Sequence, residues 1–358
     1  MNDRERFLNT FAFKPVDRIP WWDFGFWSQT LERWYGEGMP RDVDPDEYFG
    51  MDKQWKSVPV SLGMRPWFEE QILEEHGNII TVRDTDGVVS IRTRDGTSIP
   101  KYIKFPVETR DDFADLKKRY IAAEPTRYPE NWDERIAEWK NRDYPLGINC
   151  FGFFGTIRSW MGLENACMML HDDPKLAMEM MEFIGDFTCT VLQRALESGL
   201  EFDYGSFWED MCYNKTSLIS PKMFREFMLP QYKRVTGLCR KYGVQHFVVD
   251  CDGYIAELTP LWHEGGVKIM FPMEQGTSGN DLYAYRKEYG KDGLIIGGID
   301  KHLFVEGKAA IEKEVDSKLP LMQEGGFIPT PDHRVPPTVS LANYQYYLEY
   351  LKKRTAPK

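Results

Sequence analysis

The sequence predicts an α/β fold, a (β/α)8 TIM barrel with a β-hairpin insertion near its N-terminal third, and three observations carry that expectation. From residue 145 onward, short apolar runs alternate regularly with helical patterns, the order that builds a parallel sheet. An acid follows nearly every run, and a closed barrel brings such strand ends to one mouth, where barrel enzymes keep their chemistry. The first strand ends in aromatics with no glycine-rich phosphate loop behind it, which argues against an open doubly wound sheet. Residues 1–358 are therefore read as a single barrel domain, interrupted at about 77–105 by the insertion.

A short helix is expected over 3–13, stopped by Pro15, and an extended start at Pro20 leads into W-W-D-F-G-F-W. Residues 34–65 read as loops with a short apolar segment at 58–62. Between 77 and 105, I-I-T-V-R, V-V-S-I-R-T-R and Y-I-K-F alternate around D-T-D-G and R-D-G-T turns, the pattern of β-hairpins. Helices follow at 110–119 and 131–141, then a strand at 145–149 ending in C-F-G-F-F-G. The helix at 174–198 repeats Leu176, Met180, Phe183, Ile184 and Phe187 at the spacing of one buried face. Further strands are expected at 202–207, 244–250, 267–271, 294–296 and 326–330, with helices between them and a closing helix at 341–352.

With 42% hydrophobic residues the chain has material for a large core. Its net charge of -11, spread along the length, argues against nucleic acid or an anionic membrane as partner. Six cysteines with no C-x-x-C pair fit reduced thiols. No apolar run reaches the ~20 residues that span a bilayer, and the start M-N-D-R-E-R-F-L lacks a signal-peptide core, so the expected location is the cytoplasm.

The candidate chemistry centres on residues 244–253, V-Q-H-F-V-V-D-C-D-G. The run Phe247, Val248, Val249 has the length of a buried strand and stops in Asp250, Cys251 and Asp252 before Gly253. Two acids there repel each other and lose solvation, so they persist beside a metal, a proton or a cationic partner. The plainer alternative is a turn, with Asp250 as a helix cap. Glu209 and Asp210 end the preceding strand, and Asp332 and His333 follow the last one. Trp21, Trp22, Phe24 and Trp27 surround Asp23, while Phe151 and Phe153 alternate with glycines; both groups are candidate walls for a small flat ligand. Core packing is the alternative for the aromatics, since a run of them cannot all point one way along a strand.

Taken together these segments resemble the uroporphyrinogen decarboxylase superfamily, a barrel family that also holds zinc-dependent methyltransferases serving corrinoid proteins. R-E-R-F-L-N-T-F with P-V-D-R-I-P is similar to the family's entry into its first strand, and I-S-P-K-M-F-R-E-F-M-L-P to the segment after its acid-bearing strand. G-G-I-D-K and P-D-H-R-V-P-P, with Asn343, resemble its last strand ends. The decarboxylases proper carry an R-Q-A-G-R-Y-like segment that supplies arginines to a polycarboxylate. Here W-W-D-F-G-F-W stands in its place, and Arg18, Arg65, Arg158 and Arg334 are outnumbered by acids, so a polyanion would be repelled. Laid on the methyltransferases' H-x-C-G and G-C-x-V-P zinc ligands, the implied metal set is Asp250, Asp252 and His333, with Gly253 retained. Those hard donors suit zinc or another divalent ion and are a poor choice for activating a thiol.

The resemblance thus implies a methyltransferase that demethylates a small substrate, an aryl methyl ether or a methylamine, with a corrinoid protein as methyl acceptor. Glu209, Asp210 and Asp250 are the expected catalytic acids, and Trp21, Trp22, Asp23, Phe24, Trp27, Phe151 and Phe153 the expected substrate wall. A cofactor-free decarboxylase and a non-catalytic ligand-binding barrel are the alternatives. Homodimerisation, with the hairpin insertion as one candidate surface, is the expected assembly.

Overall fold

The computed structural model describes residues 1–94 and 100–356, so part of the expected R-D-G-T turn lies outside the described residues. Its strands, in chain order, are β1 (Lys56–Ser57), β2 (Gln71–His76), β3 (Ile79–Arg83), β4 (Val89–Thr93), β5 (Lys101–Lys104) and β6 (Leu146–Asn149). They continue with β7 (Tyr204–Trp208), β8 (His246–Asp250), β9 (Ile269–Phe271), β10 (Leu294–Ile299) and β11 (Phe327–Pro331). β1 and β6 to β11 pair side by side in sequence order, all parallel, with helices such as Phe154–Met161, Pro174–Leu196 and Leu229–Lys241 between them. This is the expected α/β barrel. Among the described residues no helix is long and apolar enough to cross a membrane, and all six cysteines are free.

Residues 19–26 fill the eighth place in the barrel without joining its ladder. Pro20 lacks an N–H to donate, and the segment is fastened by other means. Phe26 makes a single parallel bridge with Val335, the Val335 N–H donates to the Gly25 carbonyl at 3.1 Å, and the Asp52 N–H to the Trp21 carbonyl at 3.0 Å. On the β1 side the Trp55 indole donates to the Asp23 carbonyl at 2.9 Å.

The insertion is a separate antiparallel sheet in the order β2-β3-β4-β5. It starts one strand earlier than expected, at Gln71, because Q-I-L-E-E-H is exposed along its whole length and so carries no alternation to read. Ile79, Tyr102 and Ile103 remain exposed on it.

Period-two alternation decides what each barrel strand shows to the centre. On β7, Tyr204, Ser206 and Trp208 face inward, while Phe207 turns outward against Tyr232, ring centroids 4.9 Å apart. On β8, Val248 and Asp250 face inward, and Phe247 and Val249 pack on the helices. Below them Phe7, Phe11, Trp22, Ile269, Leu294 and Ile328 form an apolar plug inside the barrel. Burying that plug makes the lower barrel a packed core and leaves space only at the C-terminal end.

Candidate active site at the barrel mouth

Above the plug lies a cavity of about 330 Å³. Phe24, Trp55, Tyr204, Trp208 and Phe271 supply its rings, Phe207 and Val248 border it, Ser57, Asn149 and Ser206 are its neutral polar groups, and Asp250 is the one acid among its described lining residues. Phe24 and Phe271 meet edge to face at 4.5 Å, and Trp55 lies 4.8 Å from Phe271. That makes a continuous aromatic wall.

The strand ends gather three carboxylates. Asp210, Asp250 and Asp252 each offer an oxygen within 4.8 Å of the others. Asp210 is held in the left-handed region, φ 45°, and its carboxylate accepts the Asp252 N–H at 3.3 Å. Arg158 donates to the Asp210 carbonyl at 2.9 Å and pairs with its carboxylate at 3.4 Å. Burial, then the neighbouring charges of Asp210 and Asp252, push the Asp250 carboxyl well above the usual range. Burial and Asp252 raise Asp210 as well. One oxygen of Asp252, Oδ1, is buried with no hydrogen-bond partner among the described residues. His333 stands outside this group of three, its Nε2 3.3 Å from Asp252 and its ring between Phe24 and Trp27.

The other expected acid is placed differently. Glu209 follows Trp208 outward, is fully buried, and does not line the cavity. It accepts the Phe153 and Gly155 N–H groups at 2.9 and 3.0 Å and the Tyr232 hydroxyl, so it ties β7 to the start of the helix Phe154–Met161. Burial pushes its carboxyl up to about 7 against the pull of those donors. Gly152 lets this junction close, since a Cβ there would lie 1.9 Å from the Trp208 carbonyl oxygen.

The aromatic segment divides as strand geometry requires. Phe24 lines the cavity and Trp22 belongs to the plug, stacked on Phe7 at 5.4 Å. Trp21 turns outward between Arg18 and Lys352, 3.7 and 4.4 Å from its ring, while Trp27 is exposed at the rim. Phe153 is core, against Tyr232 at 4.9 Å, and Phe151, at φ 68°, uses its carbonyl to accept the Trp208 N–H. Trp55, Ser57, Asn149, Tyr204, Ser206, Trp208 and Phe271 are cavity residues that the sequence did not single out.

Asp23 is completely buried on the outer side, where it accepts the Tyr344 hydroxyl and the Gly25 N–H. Burial pushes its carboxyl up to about 7 from 3.8. The unfolded chain therefore gives up this proton first as pH rises. The stabilisation is complete below the unfolded value and is lost as pH climbs through the folded one. Urea midpoints should fall between about pH 5 and about pH 8, and Asp23→Asn should flatten that slope; an equally steep slope in the variant would contradict the assignment.

The uroporphyrinogen decarboxylase (URO-D) family model matches residues 82–354. No curated protein matches the chain in sequence. Among solved structures it is similar to a methyltransferase from Methanosarcina mazei, at 14% identity and TM-score 0.63, covering 99% of each chain. It is more distantly similar to a B12-independent methionine synthase from Shewanella sp. W3-18-1, at 12% identity and TM-score 0.33, over 61% of this chain and 64% of that one. The barrel, with its acids collected at the strand ends, and a family match spanning most of the sequence lead to one assignment: the chain belongs to the uroporphyrinogen decarboxylase family.

Proposed function

We propose that this protein is a methyltransferase that removes a methyl group from a small oxygen- or nitrogen-bound donor and passes it to a corrinoid carried by a partner protein. The observation that carries the reading is the cavity: its described lining residues are mainly aromatic, with one acid and no lysine or arginine. A tetrapyrrole polyacid is too large for about 330 Å³ and would meet acids instead of arginines. The name of the Methanosarcina mazei neighbour supports methyl transfer over decarboxylation.

Phe24, Trp55 and Trp208 hold the donor flat, exclude water and fix which methyl group points to the mouth. Asp250 faces the donor's heteroatom, where its carboxylate meets positive charge on nitrogen or its acid form gives a proton to a leaving oxygen. Asp210 and Asp252, joined by the Asp252 N–H and braced by Arg158 and His333, set the negative field around Asp250. A reduced corrinoid, when bound, supplies the nucleophile for the methyl group. The rim suits a flat macrocycle, because Trp27, Trp208 and Tyr213 are exposed around the mouth. The test is a panel of methoxyarenes and methylamines with free cob(I)alamin, read by the absorbance of methylated cobalamin. Turnover with at least one donor is expected, and none with any donor would overturn the proposal.

A divalent metal is a second reading, favoured by the unpartnered Asp252 Oδ1. The three clustered carboxylates would hold it, with His333 as a neighbour of Asp252. Such oxygens fit a hard ion and do not reproduce a thiolate-rich zinc set. Elemental analysis decides. A stoichiometric ion in the purified protein, lost in an Asp250→Ala, His333→Ala variant, is the outcome this second reading requires; metal-free protein after reconstitution would end it.

A further inference from the structure

We propose, resting on the methyltransferase reading of the same cavity, that the methyl donor is a quaternary methylammonium compound whose positive charge is held by Asp250 inside the aromatic wall. The first argument is charge. Asp250 accepts no hydrogen bond through its side chain among the described residues, and the basic side chains near the mouth make their contacts elsewhere, Arg334 adding a longer-range charge that favours the Asp250 carboxylate. Lys301 is paired with Asp332 at 3.0 Å, Arg158 with Asp210 at 3.4 Å, and His333 with Asp252 at 3.3 Å, while the Arg334 guanidinium sits over Trp27 at 5.3 Å. Burial and the charges of Asp210 and Asp252 disfavour the ionised form of Asp250, and a neutral ether does nothing to restore it, whereas an ammonium head group beside the carboxyl stabilises the carboxylate.

The second argument is the wall. Phe24, Trp55, Tyr204, Trp208 and Phe271 present ring surface around the space beside Asp250. Aromatic faces attract a desolvated ammonium and repel an anion. A quaternary nitrogen has no N–H to donate, so rings and a carboxylate hold it, and Ser57, Asn149 and Ser206 are left to meet a polar tail. Size agrees, because about 330 Å³ accommodates a trimethylammonium group with a short tail.

The chemistry then balances without a proton donor. The bond between nitrogen and the methyl carbon breaks with its pair remaining on nitrogen, and the reduced corrinoid's pair forms the new bond to that carbon. A neutral tertiary amine leaves. Its lost charge removes the attraction to Asp250 and to the rings, which favours release of product over substrate.

Choline and its uncharged carbon isostere 3,3-dimethylbutan-1-ol test this directly, by titration against tryptophan fluorescence and calorimetry. Choline should bind at least about tenfold more tightly than the alcohol, and Asp250→Asn should bring the two affinities together. Equal affinities in the wild-type protein, or no choline binding, would overturn the proposal, and that comparison stands even if the variant fails to fold. The two claims fail separately. Methyl transfer from a methoxyarene without choline binding would sink the ammonium assignment alone. Selective choline binding without methyl transfer from any donor would support the ligand class and sink the methyltransferase reading.

Discussion

Replacing Asp250 with asparagine is expected to lower methyl transfer to cobalamin by about a thousandfold, within the range for loss of a positioned charged group in a water-poor site. Asparagine keeps the shape and removes the charge. It is the sharpest single change available, since Asp250 is the one acid among the described residues that line the cavity. The fold should not suffer. With its carboxyl pushed up by burial and by two neighbouring carboxylates, Asp250 makes the folded state less stable wherever it is forced to ionise. The variant's melting temperature at about pH 8 should therefore equal or exceed that of the wild type. A rate within about threefold of wild type would remove Asp250 from the reaction.

Gly152→Ala is expected to destabilise the protein by more than about 3 kcal/mol, or to prevent recovery of folded protein, because the added methyl group would meet backbone. A Cβ at this position lies 1.9 Å from the Trp208 carbonyl oxygen and 3.5 Å from the Glu209 side chain. Neither can move cheaply. Trp208 ends a strand paired with β8, and Glu209 is held by two backbone N–H groups and Tyr232. Gly36→Ala is the control, since a Cβ there meets nothing within 4 Å. Urea denaturation of the two variants compares them. Similar midpoints would mean that the junction between β7 and the following helix is not the constraint described.

The acids at strand ends were legible because a buried apolar run that stops in carboxylates has few structural uses. Asp210, Asp250 and Asp252 accordingly meet at the mouth. The barrel itself was legible from strand and helix alternation. The side chains facing its centre were not, because they depend on the phase of each strand. The Tyr204, Ser206, Trp208 face of β7 follows from period two only after its ends and its inward side are known. Glu209 shows the same limit. One residue beyond Trp208, it turns from the cavity to the N-terminus of a helix whose residues lie far earlier in the chain. Trp55 carried no signal at all, since it reaches the cavity from a loop at φ 49°. In the segment around Asp23, alternation sends Phe24 into the cavity and Trp21 to the outer surface, a split that aromatic content alone does not reveal.

The measurement that bears most directly on the central claim is the fate of a carbon-13 methyl group. A donor labelled at one methyl is incubated with the protein and reduced cobalamin, and label on cobalamin is followed together with the demethylated product. The account predicts equal amounts of the two, formed only with active protein and lost in Asp250→Asn. Release of labelled carbon dioxide from a carboxylated substrate, with no methyl group reaching cobalamin from any donor, would contradict it.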